Sequence, residues 1–199
     1  MMNVRTVKLA DAPTLLNIYK PYVERTTSTF EYNVPTIQDF EDRIANTLEK
    51  YPYIVIEEDN TILGYAYDHE FNSRGAYKWT VEISVYVSQE ARSRGIGKML
   101  YSEIENILKK QNVVHIIACI TEENETSKKF HERMGYENVG LFKKIGFKSG
   151  KWLDNFWMQK TLCPSDQPKE FVPFSSLQLS VLIQILNINV INRLQQVVL

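Results

Sequence analysis

The sequence is short of several residue types that mark protein classes. Its two cysteines, Cys119 and Cys163, are too few for a disulfide framework. Its three histidines, His69, His115 and His131, stand far apart, and no Cys/His group has metal-ligand spacing, so no metal is expected. No run of about 20 apolar residues is present, which argues against a spanning helix and a membrane partner. No apolar stretch follows Arg5 and Lys8, so no leader peptide is expected and the default is a reduced, cytoplasmic protein. Neither sign of charge dominates: 23 Lys and Arg stand against 24 Asp and Glu, which disfavours a nucleic-acid partner. What remains, 44% hydrophobic and 24% charged, is ordinary globular composition in 199 residues, enough to bury a sizeable core.

Periodicity then divides the chain. Val4 to Lys8 alternates as a strand does. Asp11 is expected to cap a helix through Leu15, Leu16, Ile18 and Tyr19, with Pro13 in its first turn. Thr36 to Asp39 reads as a capping box before a helix with Phe40, Ile44 and Leu48 on one face. Strands are expected at Tyr53–Glu57 and Thr61–Phe71, joined by a tight turn at Asp59-Asn60, and at Thr80–Val87. Met99, Leu100, Ile104, Ile107 and Leu108 mark a long helix. Val113–Ile120 is apolar enough to be a strand buried on both faces. A helix over Asn124–Met134 stops at Gly135, and strands follow near Val139–Ile145 and Trp152–Lys160. The order β-α-α-β-β-β-α-β-α-β-β predicts one α/β unit on a mixed sheet.

The chemically informative stretch runs from Glu82 to Lys98. A strand passes through Arg92-Ser93-Arg94-Gly95-Ile96-Gly97-Lys98 into the long helix. A helix start carries unpaired N–H groups and partial positive charge, and basic side chains around it suit a pyrophosphate. The dinucleotide fingerprint would need glycine where Leu100 stands, and the P-loop a hydroxyl where Met99 stands. On spacing alone, a glycine turn dressed with surface arginines stays open.

Arg92-x-x-Gly95-x-Gly97 after Val85-Tyr86-Val87 resembles the acetyl-CoA loop of the GCN5-related N-acetyltransferase (GNAT) superfamily. Within it the chain is similar to the phosphinothricin N-acetyltransferase group. The matching pieces are Thr29-Phe30-Glu31, Arg74-x-Ala76-Tyr77-x-Trp79-Thr80-x-Glu82, Asn124-x-x-Ser127, Phe130-His131-Glu132, Gly135-Tyr136 and Gly146 to Asp154. Singly each is weak; in order, across residues 3–162, they are specific. The resemblance implies a GNAT fold with about seven strands and four helices, plus a C-terminal extension. It implies acetyl-CoA as cosubstrate, contacted by Val85, Tyr86 and Val87 along the pantetheine arm, by Ser93, Arg94, Gly95, Ile96, Gly97 and Lys98 around the pyrophosphate, and by Asn124.

An amine attacks a thioester only when unprotonated, and an α-amino group has a pKa of about 8, so a base is needed. Strand alternation puts Glu82 with Ser84 and Tyr86 on one face. The resemblance implies that Glu82 is that base, and it puts His131 where many relatives carry an acid tyrosine. His131 could be acid, relay or structural. An oxyanion would need a preorganised donor, such as a backbone N–H of the Val85–Val87 strand. For the acceptor, Arg74 is the expected carboxylate clamp, Tyr77 and Trp79 flat walls, and Phe30 and Tyr32 a substrate-side loop. Core packing remains the alternative for the aromatics. His69 and His115 read as strand residues without partners, and Cys119 as inert in a buried strand.

The expected function is acetyl transfer to a small amino-acid-like amine of the phosphinothricin or methionine sulfoximine or sulfone type. Another small amine, a protein N-terminus, or a non-catalytic acyl-CoA sensor are the alternatives. The resemblance also implies a homodimer with sites near its interface. The motifs end near Leu162, which divides the chain into a catalytic domain, 1–162, and an extension, 163–199. The extension opens on Pro164, Pro168 and Pro173 and becomes apolar, with Arg193 its one charge after Ser175. Helix and strand are both open for it, and packing on its own domain or on a partner is expected, with disorder as the alternative.

Overall fold

A computed structural model describes residues 2–178. Seven strands form one sheet in the order β1-β2-β3-β4-β5-β7-β6. In chain order they are β1 (Met2–Thr6), β2 (Tyr53–Glu58), β3 (Thr61–Glu70), β4 (Thr80–Val87), β5 (His115–Thr121), β6 (Glu137–Lys148) and β7 (Lys151–Thr161). All neighbours are antiparallel except β4 and β5, which the helix between them makes parallel. The helices are α1 (Ala12–Arg25), α2 (Ile37–Lys50), α3 (Ile96–Lys110) and α4 (Glu125–Arg133). Element order and mixed sheet agree with the sequence reading.

Each helix buries the stripe its spacing predicts. α1 buries Leu15, Ile18, Tyr19 and Val23, and α2 buries Phe40 and Ile44. Both pack on one face of the sheet with Val55 and Tyr65. α3 buries Ile96, Leu100, Ile104 and Leu108 against Ile54, Val81 and Ile116 on the other face. A fully buried Leu or Ile contributes about 1.5–3 kcal/mol, so these stripes hold the layers. β5 lies between the layers with Ile116, Ile117, Ala118 and Ile120 buried.

Local signals behave as expected in most places. Thr36 accepts from the Asp39 N–H at 3.1 Å and Asp39 accepts from the Thr36 N–H at 3.1 Å, a closed capping box. Asp59 and Asn60 have φ of 50° and 64°, as the two central residues of a primed hairpin turn require. Three expectations shift. β1 starts and ends two residues early, because residues 9–11 form a 3-10 turn that leads the chain away. Asp11 caps nothing in α1; it accepts from the Lys8 N–H at 2.7 Å and from Arg5 at 2.7 and 3.0 Å. β5 begins at His115, because the Val113 N–H closes the end of α3 on Leu108.

The extension is described only to residue 178. Residues 169–178 run back across one end of the sheet. Gln111 donates to the carbonyls of Lys50 and Val172, Asn112 donates to that of Glu170, and Ser175 donates to that of Glu49. Phe171 packs on Tyr51, and Phe174 is buried. The described part therefore packs on its own domain. The expectations for Ser180 to Leu199 lie outside the described residues.

Candidate active site

β4 and β5 pair only over Thr80–Glu82 and His115–Ile117. Beyond Glu82 they separate, and a cleft of about 1330 Å³ opens between them. Residues of α1, α3, α4 and the loop 26–31 complete its walls. A parallel pair that parts in mid-sheet leaves backbone groups of β4 facing the cleft.

The ladder assigns those groups. The Ser88 N–H turns back to the Leu63 carbonyl on β3. Val87 turns the other way, with its N–H on the Tyr22 hydroxyl at 3.2 Å and its carbonyl accepting from that hydroxyl at 2.6 Å. Strand alternation carries Val85 to the same cleft edge and turns the backbone of Tyr86 toward β3. The ring of Tyr86 meets Tyr19 and Tyr22 edge-on at 4.8 and 5.1 Å.

At the far end the chain enters α3 through two left-handed residues, Ser93 at φ 62° and Gly95 at φ 79°. Among the described residues, its own chain neighbours aside, no atom lies within 4 Å of where a Gly95 side chain would begin, so the turn is an open cradle at the helix start. Ser93, Gly95, Gly97, Arg92 and Lys98 line the cleft. The Ile96 side chain is buried in the core, so this residue lines the cleft beside the helix start mainly through its backbone. Arg94 is not among the lining residues: its guanidinium sits 2.6 Å from Glu58 at the end of β2. Two cations, a helix start and a side-chain-free turn fit a polyphosphate of limited size.

Glu82 lies where the strands part, on the wall with Ser84 and Tyr86. Two neighbours belong to the residues read as partnerless or inert. His69 is its cross-strand pair on β3, with Nε2 3.9 Å from Glu82 Oε1. Cys119, on β5, lines the cleft; burial and the adjacent Glu82 push its thiol pKa far up, so it stays a thiol. His115, also read as partnerless, lies 3.2 Å from both Gln159 and Thr161.

His131, in the last turn of α4, is 5% exposed, and burial lowers its pKa, which keeps the imidazole neutral. Its Nδ1 lies 2.8 Å from the Ser127 carbonyl and its Nε2 2.5 Å from the Tyr101 hydroxyl. Asn124 caps α4 by accepting from the Ser127 N–H at 3.1 Å, and donates to Ser28 Oγ at 3.3 Å. That joins α4 to the loop over the cleft.

The residues expected around an acceptor divide. Phe30 lines the cleft, its ring lying over Gly146 of β6 where a Cβ would come within 2.4 Å of it. Tyr32 donates to the Phe147 carbonyl and Lys148 to the Thr29 carbonyl at 2.7 Å, so β6 holds this loop in place. Arg74 and Tyr77 stand on the exposed segment 72–78 and are not among the cleft-lining residues. Trp79 donates its indole N–H to the Lys169 carbonyl at 2.7 Å, with Lys78 4.5 Å above its ring, so it packs on the extension. Tyr22, Tyr101 and Cys119 at the cleft, and His69 beside Glu82, were missed by sequence reasoning, because only sheet register and helix packing bring them there.

A parallel strand pair that parts beside a basic, glycine-cornered helix start makes an open cleft with an anion-binding end. Residues 4–157 match the acetyltransferase (GNAT) domain, and the chain belongs to that family. It is an acetyltransferase. It is 31% identical over 165 residues to a phosphinothricin N-acetyltransferase of Streptomyces viridochromogenes, covering 82% of this chain and 90% of the relative. It is 31% identical over 168 residues to an L-methionine sulfoximine/L-methionine sulfone acetyltransferase of Pseudomonas paraeruginosa, covering 82% and 96%. The crystal structure of a phosphinothricin acetyltransferase from Sinorhizobium meliloti in complex with acetyl-CoA superposes with a TM-score of 0.82 at 34% identity, covering 87% of this chain and 97% of that one.

Proposed function

We propose that the protein transfers the acetyl group of acetyl-CoA to the amine of a small amino-acid-like acceptor of the phosphinothricin, methionine sulfoximine or methionine sulfone type. The observation that carries this reading is the position of Glu82: a carboxylate on the cleft wall where β4 leaves β5, one residue pair from the free β4 edge. The names of the relatives support the acceptor class.

When bound, acetyl-CoA supplies an activated acyl carbon. The Val85 backbone, the Val87 carbonyl with the lone pair that Tyr22 leaves open, and the start of α3, with Ser93, Gly95, Ile96, Gly97, Arg92 and Lys98, hold the cosubstrate. Tyr86 fixes the strand through its ring, and Asn124 fixes α4. Arg94 acts through its backbone, since its side chain pairs with Glu58. Glu82 takes a proton from the acceptor ammonium, directly or through a water. A backbone N–H on the cleft edge of β4 stabilises the oxyanion, a contribution of roughly 3–4 kcal/mol where such donors have been removed. His131, neutral and with its Nδ1 hydrogen on the Ser127 carbonyl, serves the departing sulfur as a relay through the Tyr101 hydroxyl.

Phe30 and Tyr32 shape the acceptor side. Arg74 and Tyr77 serve an acceptor by joining a neighbouring subunit's cleft in a homodimer. The exposed apolar side chains of Val139, Leu141, Phe142, Ile145 and Trp152 on β6 and β7 support such pairing. The catalytic unit is residues 1–162, and the extension braces the end of its sheet.

The test is thiol release from acetyl-CoA with a panel of amino acids and analogues. Acceleration by the named acceptors, and its loss in Glu82→Gln with acetyl-CoA affinity retained, is expected. No acceleration by any amine, while acetyl-CoA still raises the melting temperature, would replace catalysis by an acyl-CoA sensor. Arg74→Ala should raise KM for acidic acceptors; an unchanged KM removes it from the clamp.

A further inference from the structure

We propose that His69 is a positioning residue for Glu82 and the exit by which the acceptor's proton leaves the cleft; this rests on the acetyl-transfer reading above. The two residues are a directly opposed pair on β3 and β4, so their side chains rise side by side on one face. His69 Nδ1 lies 3.0 Å from the Glu70 carbonyl. A carbonyl only accepts, so Nδ1 carries the hydrogen and Nε2 presents its lone pair. That Nε2 is the atom 3.9 Å from Glu82 Oε1, a gap that a small side-chain rotation closes.

The rest of the surroundings leaves this route open. On β5 the Cys119 thiol flanks Glu82 but is held protonated, and can accept no proton from it. On β3 the ring of Tyr67 stands 6.3 Å from the imidazole, with its own pKa pushed up to about 12 by burial. It can take no proton near neutrality either. The side chain of Glu82 is 23% exposed and that of His69 44%, so the pair leads outward from the cleft toward solvent.

The stoichiometry requires such an exit. Acetylation of an ammonium-form amine makes one N–C bond and breaks one C–S bond. Of the two protons the nitrogen gives up, one ends on sulfur and one must leave. Glu82 accepts the leaving proton, His69 Nε2 takes it from the carboxyl group, and the exposed imidazolium gives it to water. Glu82 returns to the carboxylate, ready for the next acceptor.

The experiment uses the full chain with His69→Ala and His69→Gln. Turnover is expected to fall about tenfold in both, a modest share of the usual acid-base contribution, with KM for acetyl-CoA unchanged. Added imidazole should restore much of the loss in His69→Ala and none in Glu82→Gln. Independently of turnover, long-range ¹H–¹⁵N correlations should show the Nδ1–H tautomer of His69, with its ¹⁵N signals moving in Glu82→Gln. Wild-type turnover in His69→Ala without response to imidazole, or an Nε2–H tautomer, overturns the proposal while acetyl transfer stands. If the wild type releases no thiol with any amine, the acetyl-transfer reading falls and this proposal with it.

Discussion

The Tyr101 hydroxyl, on α3, lies 2.5 Å from His131 Nε2, on α4, and fixes the tautomer of a buried imidazole from one side while the Ser127 carbonyl fixes it from the other. The carbonyl takes the Nδ1 hydrogen, so Nε2 accepts from the phenol. Burial raises the pKa of Tyr101 and lowers that of His131, so the pair holds one shared hydrogen bond and no charge.

That neutrality has a stability consequence. The unfolded chain protonates His131 near pH 6.5, whereas the folded chain does so only at lower pH. Folding is therefore favoured above about pH 6.5 and loses this contribution as the pH falls below it. Unfolding free energies measured from pH 7.5 to 5 should decline in the wild type, and His131→Gln should flatten part of that decline. Equal slopes would place His131 in a more polar setting than its burial indicates.

Asp68 titrates with the opposite sign. It is fully buried, on β3, with no hydrogen-bond partner among the described residues for either carboxyl oxygen, and burial holds its pKa well above the carboxylate range. The folded chain keeps this proton where the unfolded chain, with a pKa of about 3.9, has released it. Its contribution is whole below about pH 3.9 and is lost as the pH rises toward the folded value, by about 1.4 kcal/mol per pH unit. Asp68→Asn should gain stability over the wild type steadily from pH 4 to 7 in urea titrations.

Gly146 lies beneath Phe30, and a Cβ there would sit 2.4 Å from the ring. Gly146→Ala must displace Phe30, and with it the loop that Tyr32 and Lys148 tie to β6 and that is proposed to shape the acceptor side. A rise of roughly tenfold in acceptor KM is expected, as small misplacements in active sites produce, with acetyl-CoA affinity retained. Steady-state kinetics with each substrate varied separates the two.

Phe174 is 6% exposed although it belongs to the extension. Truncating a buried phenylalanine costs about 3–5 kcal/mol. Phe174→Ala should lower the melting temperature by several degrees, with acetyl-CoA binding intact in the folded fraction. An unchanged melting temperature would make the extension a passenger on the domain.

Much of the fold was legible in the residues. The stripes of α1, α2 and α3, the capping box at Thr36 and the primed turn at Asp59-Asn60 depend on contacts within a few residues of chain, which periodicity and turn chemistry report directly. The misreadings have a common physical cause. Asp11 looked like a helix cap, but Arg5 and Lys8 claim its carboxylate. Trp79 looked like a wall of the acceptor site, but a carbonyl ninety residues later holds its indole. His69 looked partnerless, because its partner is set by a strand register that no local pattern encodes.

The residues alone therefore determined the order of elements and the basic glycine turn at Gly95, consequences of short-range geometry and side-chain type, while the candidacy of Glu82 and His131 came from the resemblance to a known family. Tertiary structure alone decided where β4 parts from β5, that Tyr101 and His69 stand beside His131 and Glu82, that Arg94 turns to Glu58, and that residues 169–178 close one end of the sheet. Each of these follows from pairing or packing between segments distant in sequence. Such contacts form only when the whole chain has paid its ordering entropy together, so no local stretch carries them by itself.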